Sequence, residues 1–148
     1  MISVAVVSDT VLHRAGLVRL LEAHGRIDIV FDADVHSAMT ETYSISSDVT
    51  LLDLPLRDAC SVCVQLRSVV PDLEAIALGV PANNDLAVTC AEAGIRGYVS
   101  LQASLNELVS MIELVVRNEL ACSPAVAAGL MERVGSLTGG HQTTPGQG

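Results

Sequence analysis

Five short apolar runs alternate with longer segments of helical periodicity, and this alternation is the feature that most limits the fold. The runs lie at residues 3–7, 27–31, 49–52, 74–78 and 97–100. Most of their residues are β-branched or apolar on both faces, as is typical of parallel strands covered on both sides by helices. Because crossovers between parallel strands are right-handed, the pattern predicts a flavodoxin-like, doubly wound five-stranded parallel sheet of (βα)5 topology.

The segments between the runs carry helix signals. The predicted helices lie at residues 11–24, 35–43, 58–69, 84–93 and 104–118. In the first of them, the leucines at positions 12, 17, 20 and 21 share one side, and Gly25 ends the helix. Ser104 is followed three residues later by Glu107, a capping box that predicts the start of the last helix.

Composition sets the remaining limits. The chain has 148 residues, suits one domain, and carries a net charge of −9, so by itself it should be repelled by nucleic acid and anionic lipid. All eight basic residues are Arg, and there is no Lys. The N-terminal apolar run is too short for a signal peptide, and no uncharged stretch of about 20 apolar residues indicates a transmembrane helix. We therefore expect a cytoplasmic protein with no membrane association.

The composition changes towards the end of the chain. Residues 1–120 hold the five βα units, and residues 121–134 are predicted to form a short extra C-terminal helix. Residues 135–148 are rich in Gly, Thr and Gln, as in a flexible linker or tail. We expect this linker to lead to a further domain that the chain lacks.

Two acidic residues stand where predicted strands end. Asp9 follows the first strand and Asp53 ends the third. Because the carboxyl ends of parallel strands meet at one edge of the sheet, the two carboxylates are predicted to converge on one crevice. Paired carboxylates with nearby carbonyl oxygens form a site suited to Mg²⁺.

Four stretches in this order resemble one known family. They are ISVAVVSDTVLHRAGLVRLLEA, DVTLLDL, AEAGIRGYVS and LACSPAVAAGLMERV. Together they resemble the receiver domain of two-component response regulators, in the branch that is joined to a C-terminal helix-turn-helix. The resemblance covers about residues 2–134 and implies a role in signal transduction and transcription regulation.

The resemblance also implies roles for individual residues. Asp53 stands at the phosphoacceptor position and Asp9 at the second of two metal-binding acids. Pro55 stands where a backbone carbonyl completes the metal site, and Tyr98 stands at the aromatic switch position.

Three positions depart from the family pattern. Ser8 replaces the first metal-binding acid, Gly79 a phosphate-binding Ser or Thr, and Leu101 a phosphate-binding Lys. Since Mg²⁺ requires near-ideal octahedral oxygens and phosphoryl transfer requires cations against developing charge, these losses predict a degenerate pocket. We expect no cofactor, and at most weak Mg²⁺ binding at Asp9 and Asp53.

Two other features leave alternatives open. Arg57 lies in the loop after Asp53, where it is either a solvated arginine or a permanent partner of Asp53 or Asp9. Cys60 and Cys63 form a CSVC pair that fits either a thioredoxin-like redox site or core packing at helical spacing. The four cysteines could in principle form two disulfides, although nothing in the sequence indicates an oxidising compartment.

The leading hypothesis is an atypical receiver, not an enzyme, that controls dimerisation of a transcription regulator independently of aspartyl phosphorylation. A conventional receiver phosphorylated at Asp53 and a small redox protein using Cys60 and Cys63 are the alternatives. The expected partner is a second copy or a related regulator, with DNA bound only through an absent domain and an unknown small ligand as a further option. Surplus apolar residues at 104–118 place the dimer interface on the fourth helix, fifth strand and fifth helix, or else on the first and fifth helices.

Overall fold

The computed structural model describes residues 1–79, 84–100 and 102–117, with side chains left out at 84–87. The predicted extra helix at 121–134 and the tail at 135–148 lie outside these residues. Within them, no helix combines the length and the apolar character needed to cross a membrane.

The five predicted strands are present and form one parallel sheet. They are β1 (Ile2–Ser8), β2 (Ile27–Ala33), β3 (Val49–Asp53), β4 (Ala75–Leu78) and β5 (Ile95–Val99). Their order across the sheet is β2-β1-β3-β4-β5, which is the doubly wound arrangement. The flavodoxin-like prediction is confirmed, with the last strand starting two residues earlier than its apolar run indicated.

Five helices connect and follow these strands. They are α1 (Val11–Ala23), α2 (Val35–Thr40), α3 (Leu56–Val69), α4 (Asn84–Glu92) and α5 (Leu105–Val116). The second helix is shorter than predicted, because it ends at Thr40 and is followed by a separate single turn, Thr42–Ser44. The capping box is confirmed, because the backbone N–H of Glu107 donates to Ser104 Oγ over 3.1 Å.

The core lies in two layers, one on each face of the sheet. Alternate residues of β1 separate them, with Val4 and Val6 facing one layer and Ala5 and Val7 the other. The first layer holds α1 and α5 against the sheet, and the second holds α2, α3 and α4. Sequence periodicity does not show which helix covers which face, whereas right-handed crossovers fix it.

The inward side of α1 differs from the prediction. Leu21 is fully buried, but Leu12 is 84% exposed and Leu20 is 56% exposed. Leu17 is only partly buried. The four leucines therefore do not form one core stripe, and α1 presents apolar side chains to solvent.

Candidate functional site

The register of β1 and β3 places a hydroxyl beside a carboxylate at the carboxyl edge of the sheet. Ser8 pairs with Asp53 across the two parallel strands. Ser8 is fully buried, and its Oγ donates to Asp53 Oδ2 over 2.9 Å. The backbone N–H of Thr10 in turn donates to Ser8 Oγ over 3.3 Å. Ser8 is therefore part of the pocket wall, and its neutral hydroxyl group is hydrogen-bonded to the Asp53 carboxylate.

Asp9 lies at the same edge but its side chain has a different partner. The backbone N–H of Val35, at the start of α2, donates to Asp9 Oδ1 over 2.8 Å. Asp9 lines a pocket with Asp58 and His36, whereas Asp53 lines a separate pocket. The two carboxylates share the edge of the sheet, as predicted. However, they accept hydrogen bonds from different groups and line different pockets.

The pocket beside Asp53 is mostly apolar. It has a volume of about 250 Å³. Its walls come from Leu17 and Leu20 of α1 and from Leu105 and Leu108 of α5. Gly79 and Ser100 line the pocket too, at the ends of β4 and β5.

Three oxygens at this edge that could hold a magnesium ion are engaged in hydrogen bonds. Asp9 Oδ1 and Asp53 Oδ2 accept the hydrogen bonds described above, and the Pro55 carbonyl accepts the first α3 hydrogen bond from the Ala59 N–H over 2.9 Å. Across the described residues, no group of three His, Cys, Asp or Glu side chains is arranged to hold a metal ion. Mg²⁺ requires six near-octahedral oxygens, so this donor set is a poor one for it.

The basic side chains near the pocket are not those that the sequence indicated. Arg57 is exposed and makes no ion pair with Asp9 or Asp53 within the described ranges, so it is not the pocket neutraliser. Instead, His13 Nδ1 lies 3.7 Å from Asp53 Oδ2. Arg14 Nη1 donates to the Ser8 carbonyl over 2.6 Å, and its Nε lies 3.5 Å from Asp32 Oδ1.

No sequence motif singled out His13 or Arg14. Their position four and five residues after Asp9, in the first turn of a helix that starts at the carboxyl edge, is the signal that could have found them.

Two of the three remaining predicted switch positions lie within the described residues. Tyr98 is half-buried and packs against the core layer that holds α3 and α4. Gly79 has a positive φ of 75°, and its N–H donates to the Val99 carbonyl over 2.8 Å. Leu101 lies outside the described residues.

The conformation of Gly79 predicts opposite effects of two alanine substitutions. Gly79→Ala is expected to destabilise the domain by about 1–2 kcal/mol, because a Cβ disfavours the left-handed region. Gly16→Ala is expected to stabilise it by about 0.5–1 kcal/mol, since Gly16 is helical and a Cβ there meets open space. Urea unfolding midpoints of the two variants check this, and shifts in the same direction would contradict it.

The redox pair that the CSVC motif left open as one alternative is not formed. Cys60 is joined by a disulfide to Cys90 of α4, and Cys63 is a free, buried cysteine. Burial raises the pKa of the Cys63 thiol to about 11, so it carries almost no reactive thiolate at neutral pH. The hypothesis of a thioredoxin-like site at Cys60 and Cys63 is wrong, because residues three apart on α3 point Cys60 at α4 and Cys63 at the core.

Comparisons with known proteins agree on one class of protein. No family model matches the chain. The sequence is 29% identical to the response regulator GacA of Pseudomonas viridiflava over 130 residues, which are 86% of this chain and 61% of GacA. It is 31% identical to the DNA-binding transcriptional activator DevR/DosR of Mycobacterium tuberculosis over 137 residues, which are 90% of this chain and 63% of that protein.

A solved structure shares the fold. The crystal structure of a LuxR-family two-component response regulator from Aurantimonas sp. SI85-9A1 has a TM-score of 0.75 and 24% identity, and the match covers 90% of this chain and 97% of that one. The chain spans less than two thirds of the length of the two curated relatives above.

Proposed function

We propose that this chain, a response-regulator receiver domain, controls self-association of a transcription regulator without depending on phosphorylation of Asp53. The observation that carries the proposal is the hydrogen bond between the buried Ser8 hydroxyl and the Asp53 carboxylate. The neutral Ser8 hydroxyl stands in the place of the first metal-binding acid. The pocket therefore lacks one negative charge and, with it, the metal ion that the two acids would hold. Gly79 has no hydroxyl to offer, and the whole chain has no Lys.

The surroundings of Asp53 support this function over a phosphorylated switch. The carboxylate already has a hydrogen-bond donor in Ser8 and a nearby imidazole in His13. The adjacent guanidinium of Arg14 is directed to the Ser8 carbonyl and to Asp32. A phosphoryl group on Asp53 would therefore meet no free cation among the partners that the structure places around it.

The DNA-binding part of the proposal extends beyond this chain. DevR/DosR is named a DNA-binding transcriptional activator, and GacA a response regulator. We assign the same arrangement here, with DNA bound by a domain that follows the linker and with a cytoplasmic location. The receiver then acts as an interaction module and not as an enzyme.

The exposed side chains support self-association through α1 and α5. On α5, fewer apolar residues are available to an interface than the sequence indicated, because four of them are core residues: Leu108, Val109, Ile112 and Val115. On α4, Val88 is also buried. By contrast, α1 exposes Val11, Leu12 and Leu20, and the end of α5 exposes Val116. These residues favour the face that the sequence offered only as the second option, with a second copy or a related regulator as the partner.

Replacing both exposed leucines of α1 tests this interface. Leu12→Glu combined with Leu20→Glu is expected to weaken a homodimer by about 3 kcal/mol or more, roughly a hundredfold in Kd, because two leucines lose their burial. Light scattering of the untreated full chain at micromolar concentration should give a dimer mass, and the double variant should give a monomer mass.

The control is Val64→Glu, which also replaces an exposed apolar side chain by a carboxylate. Val64 is 54% exposed and lies on α3, on the opposite face of the sheet. It should leave the dimer intact. A monomeric parent chain, or a dimer that survives the double variant and dissociates in the control, would contradict the proposed interface.

A further inference from the structure

A covalent bond joins two neighbouring helices on one face of the sheet. Cys60 of α3 and Cys90 of α4 form a disulfide across 30 residues of sequence. Their Cα atoms are 5.1 Å apart, within the range of 4.4–6.8 Å that disulfides use. This bond is a covalent link between the two helices.

The same position also accommodates the reduced pair. The Leu56 carbonyl oxygen lies 3.6 Å from Cys90 Sγ, where a thiol S–H would find an acceptor. Cys60 is half-buried, whereas Cys90 is almost fully buried. An external thiol therefore reaches the disulfide from the Cys60 side.

Cys63 does not compete in this chemistry. It lies one helical turn from Cys60 but is fully buried. Its raised pKa keeps it protonated, and the thiolate is the form that attacks a disulfide. Exchange at α3 is thus confined to Cys60.

We propose that Cys60 and Cys90 form a reversible thiol–disulfide site, through which the redox state of the surroundings determines whether α4 is fixed to α3. This goes beyond the proposed function, because it supplies an input signal that needs neither Asp53 nor a phosphodonor.

The co-reactant is a low-molecular-weight thiol and its disulfide. In reduction, the thiolate of a first small thiol attacks Cys60 Sγ, the Cys60–Cys90 bond breaks, and its electron pair leaves on Cys90 Sγ, which takes a proton. A second small thiol then attacks the small-thiol sulfur of the mixed disulfide. Cys60 leaves as a thiolate, which is protonated, and the two small thiols end as one disulfide. Oxidation runs through the same steps in reverse, with two electrons and two protons passing to the small disulfide.

The structure indicates which elements cleavage of the Cys60–Cys90 bond would affect. Two residues after the end of α4, the Gly94 carbonyl accepts a hydrogen bond from Arg67 Nη1 of α3 over 3.2 Å. Cys90 belongs to the core layer against which Tyr98 of β5 packs. Cleavage of the bond removes the covalent restraint from the middle of α4 but leaves the Arg67 hydrogen bond in place, and the loosening reaches β5 through this layer.

Peptide mapping and hydrogen exchange on the full chain test the site. The protein is equilibrated in glutathione buffers from fully reduced to fully oxidised, alkylated with N-ethylmaleimide and digested. We expect a cross-linked peptide joining residues 60 and 90 that forms and disappears with the buffer. Backbone amides of residues 84–92 should exchange on the order of tenfold more slowly in the oxidised form.

The matched control is Cys63→Ala, which should leave the cross-link and its effect on exchange unchanged, whereas Cys60→Ser should abolish both. Alkylation of both Cys60 and Cys90 after equilibration with oxidised glutathione would overturn the proposal. So would a cross-link between Cys60 and Cys63, or exchange in 84–92 that is the same in both forms. None of these results bears on phosphorylation of Asp53, so the two proposals fail separately.

Discussion

Replacing Ile112 by glutamate is expected to unfold the domain. Ile112 has no exposed surface and lies in the core layer between α5 and the sheet, together with Val4, Leu51 and Ile76. A carboxylate at this position would be buried without a partner in an apolar environment, at a cost of several kcal/mol added to the lost burial of isoleucine. That total is comparable with the 5–15 kcal/mol that stabilises a typical domain, so the variant should lose its folded far-UV spectrum or most of its urea resistance.

Ser110→Glu is the control on the same helix. Ser110 is exposed, so the added charge remains in water and the change in stability should stay within about 0.5 kcal/mol. A folded, monomeric Ile112→Glu protein would contradict the core assignment. It would also support the sequence-based expectation that Ile112 belongs to the surplus apolar residues of α5 that form an interface.

Local signals predicted the order of the strands and helices. The strands follow from apolar runs that alternate with helical segments, and the start of α5 follows from Ser104 and Glu107 alone. The place of Asp53 at the carboxyl edge follows from the same topology. These features depend on neighbours in sequence or on a rule of handedness.

Features that depend on contacts between distant residues could not be predicted in this way. The partner of Cys60 is 30 residues away, on a helix whose rotation periodicity does not specify. The partner of Asp9 is a backbone N–H at the start of α2, and no side-chain motif records it. Whether Leu12 faces the core or solvent depends on how α1 and α5 share one face of the sheet.

Incubation with a small phosphodonor and Mg²⁺ is expected to leave Asp53 unmodified. Phosphoryl transfer depends on groups already placed against the developing charge, and the loss of one such group typically costs about 10²-fold or more in rate. Here the first acid is a serine bonded to Asp53, the phosphate-binding hydroxyl is absent at Gly79, and no Lys exists in the chain. Together these losses should bring labelling below detection.

The measurement is intact-protein and peptide mass spectrometry of the full chain after incubation with acetyl phosphate and Mg²⁺. A receiver known to accept phosphate from the same donor serves as the positive control, and Asp53→Asn shows whether any label is at that residue. The account predicts that the parent chain and Asp53→Asn each keep their own unmodified mass, while the positive control gains a phosphoryl group. Stoichiometric labelling of the parent chain that disappears in Asp53→Asn would contradict it.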